Sequence, residues 1–279
     1  MGKYCIIVNK DRDEELVLTT RVRNFLQEHG KQCMVWVESL NQQEDFEPVP
    51  EDVECVIVLG GDGTMIRAAN RLKAYAVPML GINTGTLGYL TGAEANETEK
   101  GLERLCTGDF RVERRMMLDV YREDGYSDTV LNEVAINRSG VSRVISLAVY
   151  VNGALLDIIS GDGLLIATPT GSTGYNMSAG GAIVKPEAEL IMITPLCPHS
   201  LSSREVIVSA DDEIVLEVVQ NKRTQDVEVL ATFDGREAMK LKAGERLTIR
   251  KSGYVTELVK LDERSFFEVL RSKLGSVER

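Results

Sequence analysis

Apolar and polar positions follow two different rhythms along this chain, and the change between them falls near Arg111. Before it, short apolar runs are separated by helical periods. Residues 4–8 form one such run; then, over roughly Asp13 to His29, Leu16, Val17, Val22, Phe25 and Leu26 recur on one helix face, with Gly30 placed to cap it. Cys33–Val37 and residues 53–59 repeat the strand pattern, while the acidic stretch 41–52, holding Pro48 and Pro50, reads as a loop. A helix running to about Lys73, a short strand over Val77–Ile82 and a helix over Glu97–Cys106 ended by Gly108 complete this part. Strands alternating with helices predict a parallel α/β sheet joined by crossovers.

Beyond Arg111 the apolar stretches are short, rich in Val and Ile, and separated by turn signals: 115–121, 128–138, 144–151, 154–159, 163–168, 191–194, 205–208, 213–219, 226–233 and 246–250. The only helical period lies near 175–182. This texture predicts a mostly β second domain, sandwich-like. The chain ends in a helix announced by Ser265 with Glu268 three residues on, an apolar stripe of Val269, Leu270 and Leu274, and Gly275 to close it. Such a lone helix has to pack somewhere, and the first domain is its expected place. The expected domains are 1–110 joined by 251–279, and 111–250.

With 43% hydrophobic and 27% charged residues in 279, the chain can bury a core. Its net charge of −11 argues against a broad footprint for nucleic acid or anionic membrane, so any phosphate binding has to come from a local site. The five cysteines are scattered without a C-x-x-C pair, and three lie in apolar strand-like runs, which predicts free thiols and a reducing cytoplasm. No apolar run approaches the length of a membrane span.

The chemistry centres on Gly60-Gly61-Asp62-Gly63-Thr64, between the apolar run Val56–Leu59 and a helix. Glycines there let backbone approach a charged ligand, and helix-start N–H groups favour an anion such as phosphate. Asp62 is a carboxylate held in the middle. The stretch is not a Walker A loop, since no lysine follows the glycines. Taken alone, a Gly-Asp-Gly turn is as consistent with a structural turn as with an active site. The glycine-containing stretch Asn83–Thr91 also follows a strand; it reads equally as a wall of the same crevice and as a polar turn with an apolar plug from Leu87 to Leu90.

A second Gly-Asp-Gly, Gly161-Asp162-Gly163, opens the run Leu164 to Gly181, which is dense in glycines and hydroxyls. It makes a poor strand and a poor helix but a good polar wall for a ligand's sugar and base, with Tyr175 beside it. Asn132 and Glu133 are polar residues inside an apolar run; a bulge or ligand contacts explain them equally. Phe233-Asp234-Gly235-Arg236 reads first as a hairpin turn. His29 suits a helix end, and neither it nor His199 has neighbours at zinc-ligand spacing.

Together these motifs resemble the NAD kinase family. Gly60 to Thr64 matches its GGDGT loop, Asn132-Glu133 its Asn-Glu pair, Gly161 to Gly181 its long GDG…TPTGSTAY…S-x-GG signature, Thr194 to Arg204 its TP-x-CPHSLSSR segment, and Asp234-Gly235 its Asp-Gly. The GGDGT loop is shared with lipid kinases; the long signature is far more specific. The resemblance implies transfer of a phosphoryl group from ATP, another nucleoside triphosphate or polyphosphate to the 2′-hydroxyl of the adenosine ribose of NAD, giving NADP, with a divalent metal ion such as Mg²⁺ whose ligands it does not name. By that carry-over Asp62 is the general base, Gly63 shapes the loop beside the dinucleotide, and Arg67 and Arg143 are basic contacts. Asn132, Glu133 and Asp162 hold the adenosine and ribose side, Asp234 lies near the dinucleotide, and Thr173, Gly174, Tyr175, Asn176, Met177 and Ser178 line the dinucleotide site. The family also implies a homodimer or homotetramer, with no nucleic-acid or membrane partner. Three residues depart from its pattern: Gly174 stands for the usual Ala, Lys185 for a frequent His and Arg236 for a common Gln, the last two changing charge near the expected site. A lipid kinase and a non-catalytic NAD(P)-binding regulator are the alternative readings.

Overall fold

A computed structural model of the protein describes residues 2–38, 48–85, 88–140, 144–219, 228–236, 239–261 and 264–275. In chain order the first elements are β1 (Lys3–Asn9), α1 (Val17–Glu28), β2 (Gln32–Glu38), β3 (Val53–Leu59), α2 (Asp62–Leu72), β4 (Met79–Asn83), β5 (Ala93–Glu94) and α3 (Thr98–Thr107). The strand-rich part follows as β6 (Arg111–Arg122), β7 (Ser127–Val130), β8 (Glu133–Arg138), β9 (Ile145–Val151), β10 (Ala154–Gly161) and β11 (Gly163–Ala167). After a 3-10 turn at Thr170–Thr173 come α4 (Tyr175–Ser178), β12 (Leu190–Leu196), β13 (Val206–Ser209), β14 (Ile214–Val218) and β15 (Val229–Phe233). β16 (Met239–Leu241), β17 (Arg246–Lys260) and α5 (Phe266–Lys273) close the chain.

The chain divides into one unit of Met1–Arg114 with Thr256–Arg279 and another of Arg115–Val255. Both borders fall inside strands, β6 and β17, so no linker composition marks them.

In the first unit β2, β1, β3 and β4 lie side by side, all parallel, and the end of β17 extends them, Leu258 pairing in parallel with Met79. One face buries Ile6, Val8, Ile57, Leu59, Leu80 and Ile82 with α1 and α3, whose Val22, Leu26, Leu102 and Leu105 join the same core. Residues of the other parity meet α2. A Cβ on Gly81 would come within 2.8 Å of Met65 Sδ, so a glycine there lets the helix settle on the strand. Helix α1 starts four residues later than the periodicity predicts. The carboxylate of Asp13 accepts hydrogen bonds from Leu18 and Thr19 N–H, and Leu16 sits in the left-handed region at φ 54°. Helix α5 bears the predicted capping box, Ser265 Oγ accepting from Glu268 N–H while Glu268 accepts from Ser265 N–H. It lies on this unit, the Phe266 ring centroid 6.1 Å from that of Tyr89.

The second unit is an antiparallel sandwich. One sheet runs β13-β12-β11-β8-β15-β16; opposite it β10, β9, β14 and the start of β17 pair in that order. Alternate residues from each side fill the space between: Leu147, Val149, Ile214 and Leu216 from one, Val134, Ile136, Leu164 and Ile166 from the other. The short Val- and Ile-rich stretches of the sequence become these strands. Strand β17, in contrast, continues ten residues past the predicted end, because Gly253 interrupts the apolar alternation without interrupting the strand.

Candidate active site

Three strand ends converge in the first unit. The N–H of Gly60 donates to the carbonyl of Ile82 at 3.1 Å, and Asn9 Nδ2 reaches Thr64 Oγ1 at 3.5 Å. The carboxyl edge of a parallel sheet is where such folds bind ligands. A Cβ on Gly60 would lie 2.5 Å from Thr64 Oγ1, so this turn closes only around glycine. Gly61, extended at φ −100°, caps α2. Asp62 and Gly63 follow as its first residues, where N–H groups have no partner within the helix. Arg67 lies one turn on and donates from Nη2 to Thr64 Oγ1 at 3.4 Å.

The Asp62 carboxylate is turned toward the loop after β4. Oδ2 accepts from Tyr89 N–H at 2.9 Å and Oδ1 from Leu90 N–H at 3.0 Å. Each oxygen keeps a second lone pair for another donor. Gly88 makes the approach possible: a Cβ there would stand 2.0 Å from Oδ1. The two glycine loops therefore form one structure. Thr86 and Leu87, the latter the first residue of the apolar plug the sequence suggested, lie outside the described residues.

In the second unit Asp234 organises the backbone. It sits at φ 50° in the turn after β15, and its carboxylate accepts from the N–H groups of Leu131, Asn132 and Glu133 at 2.7, 2.8 and 3.0 Å. These three hydrogen bonds fix the backbone of the Asn-Glu segment. Arg236, one of the three departures, is committed to structure as well. It donates to the carbonyls of Phe233 and Thr129 and pairs with Asp128 at 3.0 Å.

Burial, then the carboxylate of Asp234, pushes the Glu133 carboxyl up to about 7, against a hydrogen bond from the Tyr175 N–H. Glu133 Oε2, Asn132 Oδ1 and Thr170 Oγ1 are buried without a hydrogen-bond partner among the described residues. Gly174 borders this group: an alanine Cβ there would stand 3.1 Å from Glu133 Oε2 and 3.2 Å from Asn132 Nδ2. The missing methyl leaves these two side chains room.

A pH dependence follows from Glu133. Because its native pKa lies above the unfolded value of 4.5, the folded protein holds an extra proton between about 4.5 and 7, and stability falls as pH rises through that window. Glu133→Gln removes this loss. We expect it to stabilise the ligand-free protein by on the order of 2–3 kcal/mol above pH 7 and by little near pH 4. Urea unfolding across pH 4–8.5 checks this; a difference independent of pH would contradict it.

Residues 168–185 wrap onto this group. Thr168 Oγ1 donates to the Leu131 carbonyl at 2.6 Å, and a Cβ on Gly171 would strike the Asn132 carbonyl at 2.3 Å. Thr173 Oγ1 donates to Thr170 at 3.3 Å. Tyr175 and Ser178 are exposed and Met177 half-buried, whereas Asn176 is fully buried. The Asn176 side chain contacts Thr194 Oγ1 at 2.5 Å and Glu205 Oε1 at 3.3 Å, and Glu205 also accepts from the Ala182 N–H at 2.8 Å. Asn176 thus anchors the segment from below.

The second Gly-Asp-Gly is the corner where the chain passes from β10 in one sheet to β11 in the other. Cβ atoms on Gly161 and Gly163 would meet the carbonyls of Leu196 at 2.7 Å and Ile136 at 2.1 Å. Asp162 projects from the corner, and Arg138 Nε donates to it at 2.6 Å, holding its carboxyl below the usual range. Lys185 is exposed, 3.8 Å from Glu187. Arg143 lies outside the described residues. Gly88, Arg138 and Glu205 escaped the sequence reading. Gly88 alone left a trace, as a glycine in a loop after a strand; the others look like ordinary surface charges. Among the described residues no three His, Cys, Asp or Glu side chains form a group able to hold a metal ion.

Comparison with known proteins covers both units. Residues 5–110 match the sequence family described as ATP-NAD kinase N-terminal domain, and residues 131–261 that described as ATP-NAD kinase C-terminal domain. The chain is 44% identical to the NAD kinase of Lachnoclostridium phytofermentans, with 99% of each chain covered, and 41% identical to that of Lachnospira eligens, covering 98% and 100%. Among solved structures, an NAD kinase from Archaeoglobus fulgidus in complex with ATP is similar at a TM-score of 0.76 and 28% identity, covering 99% of this chain and 100% of that one. Yeast NADH kinase complexed with NADH shares the fold at a TM-score of 0.85 and 23% identity, covering 100% and 89%.

Proposed function

This chain belongs to the NAD kinase family, and from that premise we propose that it transfers a phosphoryl group from ATP to the 2′-hydroxyl of the adenosine ribose of NAD, giving NADP. The observation that carries the assignment of roles is the Asp62 carboxylate, fixed by two backbone N–H groups with a lone pair on each oxygen still to be used. A ribose hydroxyl is a weak acid, and a positioned carboxylate accepts its proton as the phosphoryl group arrives. The N–H groups opening α2, with Arg67 one turn on, suit a phosphate beside Gly63.

In the second unit the buried acceptors Asn132 Oδ1, Glu133 Oε2 and Thr170 Oγ1 suit the donors of an adenosine, its amino group and ribose hydroxyls. Exposed Tyr175 offers a ring face to the dinucleotide, with Thr173, Gly174, Met177 and Ser178 beside it. Asn176 and Asp234 act here by holding backbone, and Asp162 acts through its pair with Arg138. The described residues offer no protein cage for a metal, so the divalent cation, Mg²⁺ being the natural choice, would come with the donor's phosphates. Polyphosphate as a second donor belongs to the same proposal.

No helix among the described residues is long and apolar enough to cross a membrane. The five free thiols support a reducing cytoplasm as the site of action. A homodimer or homotetramer is the proposed assembly. Leu155, Leu156 and Ile158, exposed on edge strand β10, suit a protein contact, and light scattering should give a mass of two or four chains.

Purified protein incubated with NAD, Mg²⁺ and ATP or polyphosphate is expected to form NADP, read with an NADP-specific dehydrogenase. Tight NAD binding in calorimetry without NADP from any donor would favour a regulator instead. The lipid-kinase reading is not favoured, since the family match extends through the second unit.

A further inference from the structure

Two groups hold the peptide between Tyr89 and Leu90 from opposite ends. Its N–H donates to Asp62 Oδ1 at 3.0 Å, and its carbonyl accepts from Lys260 Nζ at 3.3 Å. Lys260 also donates to the Thr91 carbonyl at 3.1 Å. The order of charges is therefore carboxylate, peptide dipole, ammonium. An ammonium at the carbonyl end polarises the peptide and makes its N–H a stronger donor to the carboxylate.

The surrounding contacts keep this chain of hydrogen bonds in place. Lys260 is the last residue of β17, and the loop can lie against that strand because residue 92 is glycine: a Cβ there would stand 2.5 Å from the Val259 carbonyl. From the other side α5 packs on the Tyr89 ring, with Lys273 Nζ 4.8 Å from its centroid and the Phe266 ring 6.1 Å away. The Tyr89 residue is half-buried, and that burial, with the Asp62 carboxylate adding to it, raises its phenol above the ordinary range.

We infer that Lys260 is a positioning residue for Asp62, acting through the 89–91 backbone rather than by touching substrate. The inference rests on the role proposed for Asp62 as the base. A carboxylate that takes a proton in the transition state has to be held in a narrow range of orientations. Two backbone donors can hold it only if the loop carrying them is itself fixed, and Lys260 is the charged group that fixes the carbonyl side of that loop.

The test is Lys260→Met, with Lys260→Arg as the conservative variant and Lys260→Gln as a second neutral one. Lys260→Met is expected to lower kcat about 10–100-fold while KM for NAD changes less than about threefold, because ground-state contacts to NAD are untouched. Lys260→Arg should recover to within about fivefold of wild type, and Lys260→Gln should fall between. In an Asp62→Asn background the same Lys260→Met change should cost less than about twofold, since its effect passes through Asp62. Should Lys260→Met fail to fold by circular dichroism, Lys260→Gln carries the same comparison. A folded neutral variant with wild-type kcat, or an equal loss with and without Asp62, overturns the inference. Amide exchange at Tyr89 and Leu90 gives a readout independent of activity: faster exchange in either neutral variant supports the clamp, and unchanged exchange removes it. A wild-type enzyme that forms no NADP would instead overturn the kinase reading, leaving the clamp to be judged by exchange.

Discussion

Asp62→Asn is expected to lower kcat by roughly 10²–10⁴-fold, the range for losing a positioned general base, with NAD binding largely kept. The structure adds a second reason for the loss. Both oxygens accept a backbone N–H, from Tyr89 and from Leu90. An asparagine can satisfy one of these with its carbonyl but turns an amide N–H toward the other, setting donor against donor. The variant therefore loses the proposed base and one side of its clamp, and its stability should fall by about 1–2 kcal/mol. Steady-state kinetics with calorimetric NAD titration separates the two quantities. Near-wild-type turnover would remove Asp62 from the mechanism.

Gly88→Ala is expected to approach the same loss without touching the carboxylate itself. The added Cβ would stand 2.0 Å from Asp62 Oδ1 and 2.8 Å from its carboxyl carbon, distances no side chain tolerates. Aspartate is too short to yield at its tip, and both its oxygens are already held. Either the carboxylate swings away or the loop lifts and gives up both hydrogen bonds. Turnover should fall by about 10²-fold or more, with a smaller change in KM for NAD. Gly85→Ala is the matched control: no described atom lies within 4 Å of its added methyl, and its activity should stay within about threefold of wild type. Equal effects of the two substitutions would mean that loop flexibility, not the collision with Asp62, matters at these glycines.

The kinetics of these variants depend on contacts that the sequence exposes unevenly. The Gly60–Thr64 turn could be read from residues alone, because its chemistry is local: three glycines, a carboxylate and a helix start lie within five positions. The capping box at Ser265 and the short, turn-separated apolar stretches of the β unit were legible for the same reason. The start of α1 was read too early, since Asp13 looks like the first turn of a helix until its carboxylate is seen capping Thr19. Arg236 changes charge beside the Asp-Gly turn, where the sequence shows no partner for it; in the structure its guanidinium is bound to Asp128 and two carbonyls.

By itself the sequence determined which chemistry this chain carries and what kinds of layers it builds, since hydrophobic period, turn residues and short motifs act over a few neighbouring positions. Tertiary structure alone decided how the Asp62 carboxylate is held. Its donors lie 27 and 28 residues away, at Tyr89 and Leu90, and Lys260 reaches the carbonyl of Tyr89 from 171 residues along the chain. Asp234 likewise fixes Glu133 across 101 residues. These bonds run to backbone N–H and C=O groups, which every residue type but proline presents alike, so the residue identity at the partner position barely records them.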